Sequence, residues 1–184
     1  VLMALNILEN FEEINLHFQI ESLKLAFADT KKYVADIKYM QTSIKEMLSK
    51  EYSKKRAKLI SINKTLQPKE NIFSSGDTVY LATADKDGNM VSFIQSNYTA
   101  FGSGIVIPKT GIALHNRGAN FSLDRKSDNF IAPRKKPYHT IIPGFLCKDN
   151  KPIGAFGVMG AFMQPQGHLQ VLTNMIDENL NPQS

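Results

Sequence analysis

The run Asp77-Thr78-Val79-Tyr80-Leu81-Ala82-Thr83-Ala84-Asp85-Lys86-Asp87-Gly88-Asn89-Met90-Val91-Ser92 decides how this chain is read. Thr78 to Ala84 is rich in strand-forming residues, Asp87-Gly88 is a tight-turn signal, and Met90 to Ser96 is a second run of strand character. Together they predict a β-hairpin. Immediately upstream, from Asn63 to Gly76, the chain offers Lys64, Pro68, Lys69, Asn71, Ser74, Ser75 and Gly76 without any repeating period, so a loop leads into the first strand.

Before that loop the period is helical. Leu16, Ile20, Leu23 and Phe27 recur at spacings of four, three and four, which sets them on one helix face expected to pack. Ser43 followed by Glu46 has the form of a capping box, where the serine oxygen and the glutamate side chain satisfy orphan amides at a helix start. A second helical stretch carries Leu48, Tyr52, Leu59 and Ile60, with Glu51 four residues before Lys55 as a favourable pair.

After the hairpin come short apolar runs at Ile105–Ile107, Ile112–Leu114, Thr140–Leu146 and Ile153–Val158, punctuated by glycine and proline and expected to extend the same sheet. From Pro165 onward, Leu169, Leu172 and Ile176 return to helical spacing, with the proline near the helix start. Helices, then strands, then a helix is an α+β order, not alternating βαβ units.

Composition bounds the function. A length of 184 residues suits one good core, and the 42% hydrophobic and 21% charged content is that of ordinary soluble protein. No apolar run approaches a membrane span, so no membrane partner is expected. Cys147 is the only cysteine, which excludes an intrachain disulfide and any thiolate zinc cluster and leaves the compartment open. The net charge of +5 comes largely from lysines between Lys31 and Lys58, interleaved with Glu46 and Glu51; this is the pattern of a solvated helix face, and no nucleic-acid partner is expected. Val1-Leu2-Met3-Ala4 reads like the interior of a helix and Asp177 to Ser184 is polar and abrupt, so an excised fragment is expected.

A threonine at the start of a strand is ordinary on propensity alone. Thr78 has a second reading. If the bond before it is cut, its hydroxyl and its new α-amino group belong to one residue, and an amine with a reference pKa of roughly 8 can take the hydroxyl proton near neutral pH. Nucleophile and base then come from the same residue.

The opening run resembles the start of the small subunit of gamma-glutamyltransferases, which are N-terminal nucleophile hydrolases. Phe101-Gly102-Ser103-Gly104-Ile105-Val106 resembles their next glycine turn, and Asn116-Arg117-Gly118, Phe121-Ser122, Lys136-Pro137-Tyr138-His139-Thr140 and Met159-Gly160-Ala161 follow in the family's order. Upstream, His17 to Asp29 resembles the end of the large subunit.

The resemblance implies a precursor that cleaves itself between Asp77 and Thr78, dividing residues 1–77, the large-subunit part, from 78–184, the beginning of the catalytic small subunit. It implies part of a four-layer αββα sandwich and no metal or organic cofactor. Thr78 would be the nucleophile and Ser96 would support it, or else be a strand residue satisfied by backbone. The amides of Gly160 and Ala161 would stabilise the oxyanion, or else form a plain tight turn; Ala161 stands where the family has a second glycine, so a positive φ there would be strained.

Departures fall in the substrate pocket. Where glutathione-cleaving members place an asparagine, a glutamine, an aspartate and two serines, this chain has Tyr98, Arg117, Asn120, His139 and Thr140. Asn120 removes the charge that would pair with a substrate ammonium. Arg117 adds a carboxylate-binding fork, unless it is a structural ion-pair partner. The resemblance implies transfer of a gamma-glutamyl or related acyl group from a small amide to water or an amino acceptor; these positions suit a substrate lacking the free α-amine better, as in the cephalosporin-acylase-like or YwrD-like branch. His139 and His168 belong to no recognisable triad spacing. The partners expected are the missing large- and small-subunit segments and a further copy of the chain. The competing reading is a catalytically silent, uncleaved homologue with a packing or assembly role.

Overall fold

The computed structural model describes residues 1–67 and 78–183. Pro68 to Asp77, which include most of the loop leading to the hairpin and the acyl side of the expected cleavage point, lie outside the described residues. The chain divides into two compact units, each discontinuous in sequence. One takes in residues 1–72, 121–138 and 169–184, and the other takes in residues 73–120 and 139–168.

The first unit is helical: α1 (Leu2–Leu8), α2 (Leu16–Tyr33), α3 (Ile44–Met47) and α4 (Lys50–Ala57), joined by the later part of α5 (Gln164–Ile176). Its core gathers Met3, Ala4, Leu8, Phe18, Leu23, Ala26, Met47 and Leu169. The helix starts are set by side chains. Asn15 accepts from the Phe18 amide, Ser43 from the Glu46 amide as its spacing predicted, and Ser49 from the Tyr52 amide. Glu51 and Lys55 pair at 2.7 Å. Leu59 and Ile60 fall beyond the α4 C-cap at Lys58, so that helix is shorter than its apolar residues implied.

The packing face of α2 keeps half of the expected stripe: Leu23 is buried in the core and Phe27 packs against it. Leu16 and Ile20 are 58% and 43% exposed, whereas Phe18, Glu21, Ser22, Leu25, Ala26 and Asp29 are buried. Glu21, Ser22 and Asp29 lie off the expected apolar stripe. Burial is tolerated because the charges are paired: Glu21 accepts from Lys24 Nζ at 2.7 Å and from the Leu66 amide at 2.7 Å, and Asp29 accepts from Arg56 Nη2 at 2.8 Å.

The second unit carries the strands. β1 (Val79–Ala84) and β2 (Met90–Gln95) form the expected antiparallel hairpin, in register from Val79 opposite Gln95 to Ala84 opposite Met90. The turn is fastened by Asp85, whose Oδ1 accepts from the amides of Asp87 and Asn89 at 2.9 Å each, and by Gly88 at φ +84°. β3 (Gly144–Lys148) and β4 (Lys151–Phe156) form a second antiparallel pair.

The expectation of one continuous sheet is corrected. Among the described residues there are two separate two-stranded sheets. The runs at Ile105–Ile107 and Ile112–Leu114 pair only at an isolated bridge, Val106 to Ala113, because glycines and Pro108 confine them to a tight turn. The two pairs still touch. Ser92 Oγ donates to the Phe156 carbonyl at 3.4 Å, and the Tyr80 ring lies so close to Gly157 that a Cβ there would meet it at 2.4 Å.

Candidate active site

Thr78 directly precedes β1 and is 9% exposed. Because Val79 faces Gln95 across the hairpin ladder, one step outward brings Thr78 and Ser96 together at the open end of the same pair. Both line an open cavity of about 600 Å³ whose wall also includes Val79, Gln95, Asn97, Ala100, Met159 and Gly160. Gly160 is contributed from beyond β4. The structure therefore brings Thr78, Ser96 and Gly160 to one cavity.

The Gly160-Ala161 step has an unusual backbone. Gly160 sits at φ +119° and Ala161 at φ +50°, after which Ala161–Met163 make one 3-10 turn closed by the Met163 amide on the Gly160 carbonyl at 2.9 Å. The first angle is open to glycine at no cost; the second is a left-handed position where alanine's Cβ is strained. Strain at a loop between a strand and a helix is what a constrained functional turn looks like. Ala161 itself is 3% exposed.

Ser96 is engaged by backbone: its Oγ accepts from the Tyr98 amide at 2.9 Å. That bond helps hold Tyr98 at φ +83°, an uncommon conformation for an aromatic residue. The Tyr98 hydroxyl then donates to Asn120 Oδ1 at 2.8 Å, and the Arg117 guanidinium lies over the Tyr98 ring, 5.3 Å from its centre.

Arg117 is 3% exposed and sits at the start of the 3-10 turn Arg117–Asn120. Its Nη1 donates to Thr140 Oγ1 at 2.6 Å and its Nη2 to the Ser96 carbonyl at 3.3 Å. Burial lowers its pKa, the Tyr98 interaction acting in the opposite direction. Among the described residues no carboxylate forms an ion pair with it. Neither sequence reading of Arg117 anticipated a guanidinium held by neutral oxygens.

Tyr98–Asn120 and Arg117–Thr140 are thus two hydrogen-bonded pairs joined where the guanidinium lies over the Tyr98 ring and attached to Ser96 through its carbonyl, and none of the four lines the cavity at Thr78. His139 is exposed, with its pKa lowered first by partial desolvation and then by the charges of Arg117 and His115. Asp77 lies outside the described residues.

Sequence reasoning missed Asn97 and Met159. Asn97 is fixed by the Asn116 amide, which donates to its carbonyl at 3.1 Å. Their positions, one residue beyond Ser96 and one before Gly160, were the available signal.

No helix among the described residues is long and apolar enough to cross a membrane. The chain is 38% identical over 190 residues to the glutathione hydrolase-like YwrD proenzyme of Bacillus subtilis, covering 99% of this chain and 36% of that protein. It is 35% identical over 161 residues to the oxamate amidohydrolase proenzyme of Klebsiella pneumoniae, covering 88% and 30% respectively. Among solved structures it superposes on the cephalosporin acylase of Bacillus halodurans with a TM-score of 0.87 and 54% identity, over 98% of this chain and 34% of that one. The chain therefore spans about a third of the length of the relatives it matches. With the gamma-glutamyltranspeptidase family model matching residues 1–184 and these relatives agreeing along nearly the whole length, the chain belongs to the gamma-glutamyltranspeptidase family.

Proposed function

We propose that this chain carries the nucleophile of a self-cleaving amidohydrolase, with Thr78 acting first on its own precursor and then on a small acyl amide. The observation that supports it most directly is the convergence of Thr78, Ser96 and Gly160 on one cavity.

In the first reaction Thr78 Oγ attacks the carbonyl carbon of Asp77. The C–N bond breaks as the nitrogen takes up a proton, leaving an ester; water then cleaves the ester, and the Asp77 carboxylate and a free Thr78 hydroxyl and amine result. Residues 1–77 become the end of one subunit and 78–184 the start of the other. In the second reaction the same oxygen attacks the substrate amide, assisted by the Thr78 amine as base. The amine leaving group departs with a proton, and the acyl group passes to water or to an amino acceptor. The amides of Gly160 and Ala161 stabilise the oxyanion that forms in both reactions. This chemistry draws on no cofactor.

Within the class of gamma-glutamyl and related acyl amides, the substrate that suits the site better is one without a free α-ammonium group. Two observations support that choice. Asn120 is neutral where the resemblance would place an aspartate, and its Oδ1 already accepts from Tyr98. Arg117 does not line the cavity, but its buried charge, bonded to the Ser96 carbonyl, disfavours an ammonium nearby. The remaining parts of the two subunits complete the pocket, and a further copy of the chain is a second partner.

The test is Thr78→Ala in the complete precursor. Denaturing mass measurement is expected to find a single uncut chain, and hydrolysis of acyl anilides is expected to disappear. Persistence of either activity removes Thr78 as the nucleophile. Comparing a gamma-glutamyl anilide with a glutaryl anilide tests the substrate class; equal or better use of the free-amine substrate overturns it.

A further inference from the structure

Among the described residues of the second unit, the buried ones are Thr78, Tyr98, Arg117, Thr140, Ala161, Gln164 and His168, all polar except Tyr98 and Ala161. The proposed chemistry accounts for the cluster around Thr78 and Arg117. It leaves Gln164 and His168 unused.

Gln164 is fully buried and opens α5. It follows the Ala161–Met163 turn without a break, so the strained Gly160-Ala161 backbone and the Gln164 Cα belong to one short rigid piece. Its Oε1 accepts from the Ile142 amide at 3.1 Å. One helical turn further on, His168 is 1% exposed and meets the Phe156 ring edge-on at 5.1 Å, which seats the start of the helix against the end of β4.

Ile142 lies two residues after Thr140, and Thr140 Oγ1 accepts from Arg117, which also donates to the Ser96 carbonyl. A continuous series of bonds therefore runs from the Gly160-Ala161 turn through Gln164, Ile142, Thr140 and Arg117 to Ser96. The two ends of that series are the oxyanion turn and the residue beside the nucleophile. Within that series it is the Gln164 side chain that joins the segment carrying the turn to the segment carrying Thr140, by its hydrogen bond with Ile142. A buried amide is retained where it is hydrogen-bonded, and here the acceptor oxygen is the atom in use, while Nε2 has no partner among the described residues.

We infer that Gln164 is a positioning residue that fixes the oxyanion turn relative to the Thr140–Arg117–Ser96 cluster. The inference rests on the reading of Gly160-Ala161 as the oxyanion site. Gln164 touches neither nucleophile nor substrate; it acts by holding the turn where the oxyanion forms, and small misplacements of such a turn cost rate more than binding.

Two variants in the complete precursor test this. Gln164→Met keeps the length and volume and removes the acceptor; Gln164→Glu keeps the acceptor oxygen and replaces Nε2 by a second oxygen, in a carboxyl that burial keeps protonated. For Gln164→Met, hydrogen exchange at the Ile142 amide is expected to accelerate, and kcat for acyl-anilide hydrolysis is expected to fall by about tenfold to a hundredfold with KM within about twofold. Gln164→Glu is expected to retain both the Ile142 protection and most of kcat. Accelerated exchange with unchanged kcat overturns the positioning role, and so does a rise in KM alone. Unchanged exchange in Gln164→Met overturns the bond itself. The exchange measurement needs no substrate, so an enzyme whose Thr78→Ala variant keeps its activity condemns the nucleophile assignment without deciding whether Gln164 holds Ile142.

Discussion

Arg117 Nη1 donates to Thr140 Oγ1 at 2.6 Å while Arg117 Nη2 reaches the Ser96 carbonyl, so one buried guanidinium ties two segments of the site together. Replacing it with methionine fills similar space but leaves both oxygens without their donor. Arg117→Met is expected to lower stability by about 2 kcal/mol, in the range of a lost charged hydrogen bond. Arg117→Lys keeps a charge but has no planar fork to span both oxygens, and about half that loss is expected. Urea unfolding of the three proteins checks the order; equal midpoints for wild type and Arg117→Met would remove the cluster from the account of what holds the site.

Ala161 occupies a left-handed backbone position at φ +50°, next to Gly160 at φ +119°. Glycine at that position relieves the Cβ strain, though it gains freedom in the unfolded chain. Ala161→Gly is therefore expected to change stability by less than about 1 kcal/mol and to leave kcat within about twofold. Ala161→Val adds a β-branched side chain at positive φ and is expected to cost about 2 kcal/mol. Thermal unfolding and kcat measured on the same preparations check both, and a valine variant as stable as wild type would show that the turn relaxes at no cost.

The hairpin was legible because all its signals are local. Alternating strand residues, Asp87-Gly88 and the side chain of Asp85 lie within a few positions of one another. The serine caps at Ser43 and the Glu51–Lys55 pair were legible for the same reason. The polar part of the α2 face was not, because Glu21 and Asp29 are buried by partners 45 and 27 residues away, Leu66 and Arg56, and periodicity cannot know that a charge is paired. At the site, the resemblance named Thr78, Ser96 and Gly160, which share a cavity, and held that an unusual φ at Ala161 would be strained, where φ is +50°. It did not foresee that Arg117 and Asn120 are turned inward onto Thr140 and Tyr98, because a side chain's donor and acceptor partners are set by tertiary contacts that spacing does not encode.

Ser96 Oγ accepts from the Tyr98 amide, and Ser96 lies opposite Thr78, one step beyond the Val79–Gln95 end of the ladder. Ser96→Ala removes that acceptor and with it the support for the left-handed Tyr98 backbone. The expected result is a fall in kcat of about tenfold with little change in KM, because the loss is one of orientation near the nucleophile. Ser96→Thr keeps the hydroxyl and is expected to restore most of the rate. Steady-state kinetics on both variants decide it; a rise in KM without loss of kcat would assign Ser96 to substrate binding instead.

His168 is 1% exposed, and burial lowers its pKa below the usual histidine value. The folded protein therefore holds this ring neutral while the unfolded chain protonates it near pH 6.5. Above that pH both states carry the neutral ring and the folded protein has its full stability. As pH falls below about 6.5 the unfolded state takes up a proton that the folded state resists, and stability declines with a limiting slope of about 1.4 kcal/mol per pH unit until the folded pKa is reached. His168→Leu removes the titrating group and keeps an apolar side chain against Phe156. Urea unfolding at a series of pH values from 7.5 down to about 5 is expected to give a shallower acid-side decline for His168→Leu than for wild type. Parallel curves would mean that another group governs acid sensitivity and that the ring is protonated in the folded state as readily as in the unfolded one.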